Sequence, residues 1–203
     1  MLDDIIEKYR ERLASISWFM RVLNENIARR ANKEDGCTGR FWEGRFKSQA
    51  LLDEAALAAC MAYVDLNPIR AKMASTPEAS EFTSIKKRIE HAQQGKQPES
   101  LLRFAGNPRQ NMPKGLPFEL KYYIELVELT GRYVRADKRG HIYETQPILA
   151  QLQIEPENWL KLTSRFTKMF LGAVGRRQAM TEYCAHLQKR RRPNLTNCER
   201  LLG

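Results

Sequence analysis

Ile6, Tyr9, Leu13, Ile16, Met20, Leu23 and Ile27 recur at alternating spacings of three and four, which lines one face of a helix. Asp3 and Asp4 suit the start of such a helix, where backbone N–H groups present partial positive charge. The pattern predicts one long amphipathic helix over residues 3–32, broken by Glu34-Asp35-Gly36. Three glycines mark residues 36–44 as a loop. Phe46, Ser48 and Ala50 then alternate with Lys47 and Gln49, predicting a short strand over 45–51. Asp53 is a good N-cap for the next helix, whose Ala55, Ala56, Ala58, Ala59 and Ala62 favour helical geometry. Pro68 ends that helix near Asn67.

Beyond Pro77 the pattern changes. Thr83 or Ser84 caps a basic helix reaching about Gln94, and a stretch rich in Gly, Pro, Gln and Asn over 95–117 is a candidate domain boundary. Apolar periodicity returns at about 118–130, 146–152, 157–171 and 175–189. The expectation is a mainly α chain, a truncated α+β arrangement, in three parts: 1–76, 77–117 and 118–203. A lone strand cannot make a sheet by itself.

Composition narrows the class. Thirty-four Lys and Arg against 24 Asp and Glu give a net charge of +10, which points to a polyanionic partner such as nucleic acid or an anionic membrane. No run of 18 apolar residues occurs, and Met-Leu-Asp-Asp is unlike a signal peptide, so a cytoplasmic protein is expected. Cys37, Cys60, Cys184 and Cys198 lie far apart and read as reduced thiols. His91, His141 and His186 are equally isolated, and no metal box can be drawn from them.

Tyr63 and Asn67 are four residues apart and so share a helix face, with Ala59 one turn earlier leaving room beside them. A tyrosine hydroxyl can attack a phosphodiester and hold the product covalently, but its ordinary pKa near 10 calls for a base, a cation or a metal nearby. An asparagine oxygen is a hard, neutral ligand suited to Mg²⁺ or Mn²⁺. The bland alternative is a core tyrosine and a helix-terminal asparagine. In the preceding loop, Arg40, Arg45 and Lys47 interleave with Phe41, Trp42 and Phe46, a mixture that binds phosphates by charge and unpaired bases by stacking. The alternative there is a hydrophobic anchor with solvated cations; Trp42 is expected to pack, and Arg40 and Arg45 to face a ligand.

The run Gly39-Arg40-Phe41-Trp42-Glu43-Gly44-Arg45-Phe46-Lys47, followed by Tyr63-Val64-Asp65-Leu66-Asn67-Pro68-Ile69-Arg70-Ala71, resembles the single-tyrosine HUH transposases, in particular the REP-associated tyrosine transposases. Residues 13 to about 75 carry the likeness, and the rest is similar to the C-terminal extension of a longer subgroup. The resemblance implies a tyrosine-bearing helix packed on a ferredoxin-like antiparallel sheet. It implies Tyr63 as the nucleophile that forms a 5′-phosphotyrosyl link to single-stranded or hairpin DNA, and Asn67 as a ligand to Mg²⁺ or Mn²⁺. Arg40, Phe41, Trp42, Arg45, Lys47 and Arg70 fall in the matching blocks and are assigned to DNA contact.

The family's other two metal ligands, a His-hydrophobic-His pair, precede the matched segment. None of the three histidines here replaces them by spacing. The chain is therefore expected to be the C-terminal part of such a transposase, with Met1 a late start, its cleavage rescued by a full-length partner that brings the histidine pair; a homodimer is the other expected association. The alternative is a non-catalytic DNA-binding remnant. Lys189, Arg190, Arg191 and Arg192, preceded by Arg176 and Arg177, form a further basic cluster, and Arg132, Arg135, Lys138 and Arg139 another. Each reads either as a solvated helix end or as a phosphate-backbone clamp.

Overall fold

The computed structural model describes residues 2–106, 114–135 and 146–203. Its contacts divide the chain into Met1–Ser48 and Gln49–Gly203, a boundary inside the segment 1–76 that the sequence suggests as one part.

The first unit holds α1 (Leu2–Leu13) and α2 (Ile16–Glu34). The single helix expected over 3–32 is therefore broken at Ala14 and Ser15. Ser15 is extended (φ −98°, ψ 117°), and its Oγ accepts from Trp18 N at 3.5 Å, capping α2. A serine that can bond a nearby backbone N–H competes with helix continuation, and here that local bond prevails over the apolar periodicity. Gly36 (φ +61°) ends α2, with Cys37 N donating to Asn32 O at 2.9 Å. None of the described residues of this unit is buried.

The second unit is built around α3 (Glu54–Asp65). Asp53 caps it as expected, its Oδ1 accepting from Ala56 N at 2.8 Å. Ala55, Ala56, Ala58, Ala59 and Ala62 are all buried, so the alanines supply close approach as well as helix propensity. Along this surface lies α8 (Pro156–Met169), the most extensive neighbour of α3. The room expected beside Ala59 is filled. Short α4 (Asn67–Arg70) follows and meets α6 (Leu120–Val134), which also contacts α5 (Ser84–Ala92), α7 (Pro147–Leu152) and α8. Arg177–His186 forms α9 and Leu195–Leu202 forms α10, and these two pack on one another. Trp159, Tyr123, Phe118, Phe166 and Phe170 are the bulkiest buried side chains.

The mainly helical class holds, but no strand forms over 45–51. Among the described residues pairing is limited to two isolated bridges, Leu51 with Val174 and Phe104 with Leu116. At the first, Leu52 N donates to Val174 O at 2.9 Å and Val174 N to Ala50 O at 2.8 Å. Four or five alternating residues cannot hold a ladder when their neighbour offers one residue of pairing. Helix α8, not a sheet, lies along α3, so the expected ferredoxin-like packing is absent from the described residues. The stretch 95–117 also differs from a simple linker, because Phe104 and Leu116 are buried in the core of the second unit.

Candidate functional site

Tyr63 lies in the last turn of α3, half-buried, and Asn67 opens α4, exposed. Arg70, at the end of α4, folds back over both. Its guanidinium carbon lies 3.9 Å from the centre of the Tyr63 ring. Its Nη2 donates to Tyr63 O at 2.7 Å and to Asn67 Oδ1 at 3.2 Å, and its Nη1 donates to Thr163 O at 2.9 Å. Burial lowers the pKa of this guanidinium below its ordinary value, with Tyr63 acting in the opposite sense. Arg70 thus ties the end of α3, the start of α4 and the middle of α8 together. The carbonyl it reaches on α8 lies within a turn of Arg165 (φ −134°, ψ 20°), where that helix departs from helical geometry.

The other side of Tyr63 is set by α8. Its ring lies 6.0 Å from that of Phe166, and its Oη shares a 2.8 Å hydrogen bond with Thr167 Oγ1. These neighbours offer the phenol a cation on its ring face and a neutral hydroxyl at its oxygen, and neither is a base. Thr163, Phe166 and Thr167 lie about a hundred residues downstream. Their helix is legible from the sequence, but nothing in a single chain links them to Tyr63.

Asn67 Oδ1 already accepts from a guanidinium, so a divalent cation there would sit against a fixed positive charge. Among the described residues no three His, Cys, Asp or Glu side chains gather as a metal site. One neutral oxygen beside an arginine does not fit Mg²⁺ or Mn²⁺, which take several hard oxygens with carboxylates among them.

Asp65, between these two residues, belongs to a different centre that the spacing of the sequence does not single out. It is 2% exposed. Its Oδ1 accepts from Ser84 Oγ at 2.8 Å and Ile85 N at 3.1 Å, and its Oδ2 from Tyr123 Oη at 2.7 Å. Burial pushes the Asp65 carboxyl up, against the lowering pull of those three donors and of Arg88. The wholly buried Tyr123 phenol is driven well up by burial and by the adjacent carboxylate. Arg88 is buried too, lies over Phe104 at 4.7 Å, and is depressed by burial. These groups lock α3, α5 and α6 together.

In the first unit the basic, aromatic loop is stapled to its own helix. Trp42 Nε1 donates to Asn24 O at 2.9 Å, Arg40 Nε to Trp42 O at 2.7 Å, and Asn32 Nδ2 to Gly39 O at 3.0 Å. Phe41 meets Trp42 edge-on, with ring centres 4.9 Å apart. Both rings are still about two-fifths exposed, and Arg45 and Lys47 are exposed. Phe46 is half-buried.

Lys189, Arg190, Arg191 and Arg192 are exposed on the connection from α9 to α10, not on a helix. Gln188 (φ +51°) turns the chain there, with Lys189 N donating to Cys184 O at 2.8 Å. Arg176 is not a surface cation: its backbone N donates to Asp53 Oδ2 at 2.5 Å, and its guanidinium binds Leu202 O and Leu152 O. Arg177 pairs with Glu199. Arg135 donates to Ser75 O at 2.5 Å, Arg132 is exposed, and Lys138, Arg139 and His141 lie outside the described residues.

Comparison of the chain with models of known protein families, with characterised proteins and with solved structures finds no match. Among the described residues no helix is long and apolar enough to cross a membrane.

Proposed function

We propose that this chain is a DNA-binding protein of the single-tyrosine transposase type, with Tyr63 its nucleophile and single-stranded or hairpin DNA its partner. The observation that carries the reading is the convergence of Tyr63, Asn67 and Arg70, three members of one motif block, with the guanidinium stacked on the phenol ring. A cation there favours an approaching phosphate. In the proposed step Tyr63 Oη gives up its proton and bonds to phosphorus, the P–O3′ bond breaks, and the departing oxygen takes up a proton and leaves as a 3′-hydroxyl. The rest of the catalytic apparatus, including the ferredoxin-like sheet of the family and its metal ligands, is supplied in trans.

A second reading, a DNA-binding protein without cleavage, rests on the filled hydrogen bond between Tyr63 and Thr167. A covalent-adduct assay separates the two. Labelled hairpin DNA and Mn²⁺ are incubated with the chain alone, and with a full-length tyrosine transposase whose own nucleophile is replaced by phenylalanine. On the first reading the mixture yields an adduct that survives denaturation, and Tyr63→Phe abolishes it while costing only about 1 kcal/mol of stability for the missing hydrogen bond. No adduct in either mixture leaves the second reading. Both require salt-dependent DNA affinity. Neutralising Arg45, Lys47 and Lys189 to Arg192 should flatten the dependence of log K on log salt, by about 0.7 for every phosphate of a single strand that is no longer neutralised. An unchanged slope would refute the DNA-contact assignments.

A further inference from the structure

The first unit has an apolar surface that no residue of its own covers. Ten large apolar side chains from Leu2 to Ile27 are 38–85% exposed, Leu13 the most. Five of them, Leu2, Ile5, Ile6, Tyr9 and Leu13, stand on α1. Where α1 meets α2, a groove of about 340 Å³ lies between Tyr9, Arg12, Leu13, Trp18, Phe19 and Val22.

We propose that this surface docks a second copy of the chain, with α1 pairing antiparallel to its counterpart. The pattern of α1 is self-complementary. A twofold axis between Glu7 and Lys8 sets Leu2 against the second copy's Leu13 and Ile6 against the second copy's Tyr9. Those four positions are spaced four, three and four, which is the seam by which two helices interdigitate. On its flank Asp3 faces the second copy's Arg10, twice by symmetry. Arg10 is free to do so, because its 3.4 Å pair with Glu7 leaves it 72% exposed. Leu2 of the second copy reaches the groove beside Leu13. An anionic membrane fits less well, since α1 carries four acidic residues (Asp3, Asp4, Glu7, Glu11) against three basic ones (Lys8, Arg10, Arg12). The proposal is independent of the DNA-cleavage reading.

Sedimentation velocity on the full chain across the micromolar range tests it. The native chain should dimerise, and Ile6→Glu should be monomeric. Asp3→Arg and Arg10→Asp should each weaken association by about 3- to 10-fold, with the double variant restoring it. None of these residues is buried, so the second unit keeps its melting transition as an internal control. A chain that stays monomeric at every concentration overturns the proposal. So does a dimer indifferent to Ile6→Glu, a double variant that fails to recover, or binding to phosphatidylserine vesicles without self-association.

Discussion

Asp65 shows how far a single side chain can organise its surroundings. Three donors from α5 and α6 converge on its two oxygens, although it sits in a helix otherwise committed to apolar contact. Its pKa is raised in the folded state, burial outweighing the donors. For a group so shifted, the folded state binds its proton more tightly than the unfolded chain, whose value is about 3.9. The stability this provides is complete below that value and is withdrawn as pH rises through the raised one. The native chain should therefore lose ground to an Asp65→Asn variant as pH climbs from about 4 towards neutrality. Urea midpoints of the two proteins at several pH values check this; a native chain that gains on the variant with rising pH would refute the direction. Spacing draws attention to Tyr63 and Asn67, yet passes over the carboxylate between them. Its donors lie 19, 20 and 58 residues away, and only the fold brings them in. Arg70 is legible as a cation near the tyrosine, but its role as a staple depends on a carbonyl of α8.

At the scale of elements, helices are readable wherever a cap and an apolar stripe agree. Asp53 and Thr83 start α3 and α5 as expected, each accepting from the backbone three residues on. A boundary goes astray where the chain turns on a residue other than glycine. Gln188 adopts left-handed geometry just beyond α9, a role for which glutamine is no signal. The helix expected to reach 189 therefore stops at His186, and α10, two turns long, lies hidden behind its arginines. The strand fails for a different reason, since alternation cannot supply a neighbour. What joins the chain at Leu51 instead is a single bridge made possible by Gly175. A Cβ built there would lie 2.8 Å from Leu52 Cβ and 3.0 Å from Asp53 Oδ2. Gly175→Ala should cost about 1–3 kcal/mol by forcing this junction apart, whereas Gly44→Ala, which meets nothing within 4 Å, should stay within about 0.5 kcal/mol. Chemical denaturation of the two variants gives the comparison.

For the whole molecule, the contrast between the two units matters more than the helical class they share. Gln49–Gly203 holds every buried residue among those described, and Met1–Ser48 holds none. A helix the length of α1, 12 residues, is marginal in water without tertiary support, because one hydrogen-bonded turn must be nucleated at a loss. Amide protons in the two units should therefore exchange with solvent on separate clocks. Those of α3, α6 and α8 open only with global unfolding, while those of α1 open by local fraying. If a second copy covers α1, its exchange slows as protein concentration rises and the core amides do not respond. The absence of an interior in the first 48 residues thus makes their protection a property of the solution, set by how much of the protein is present.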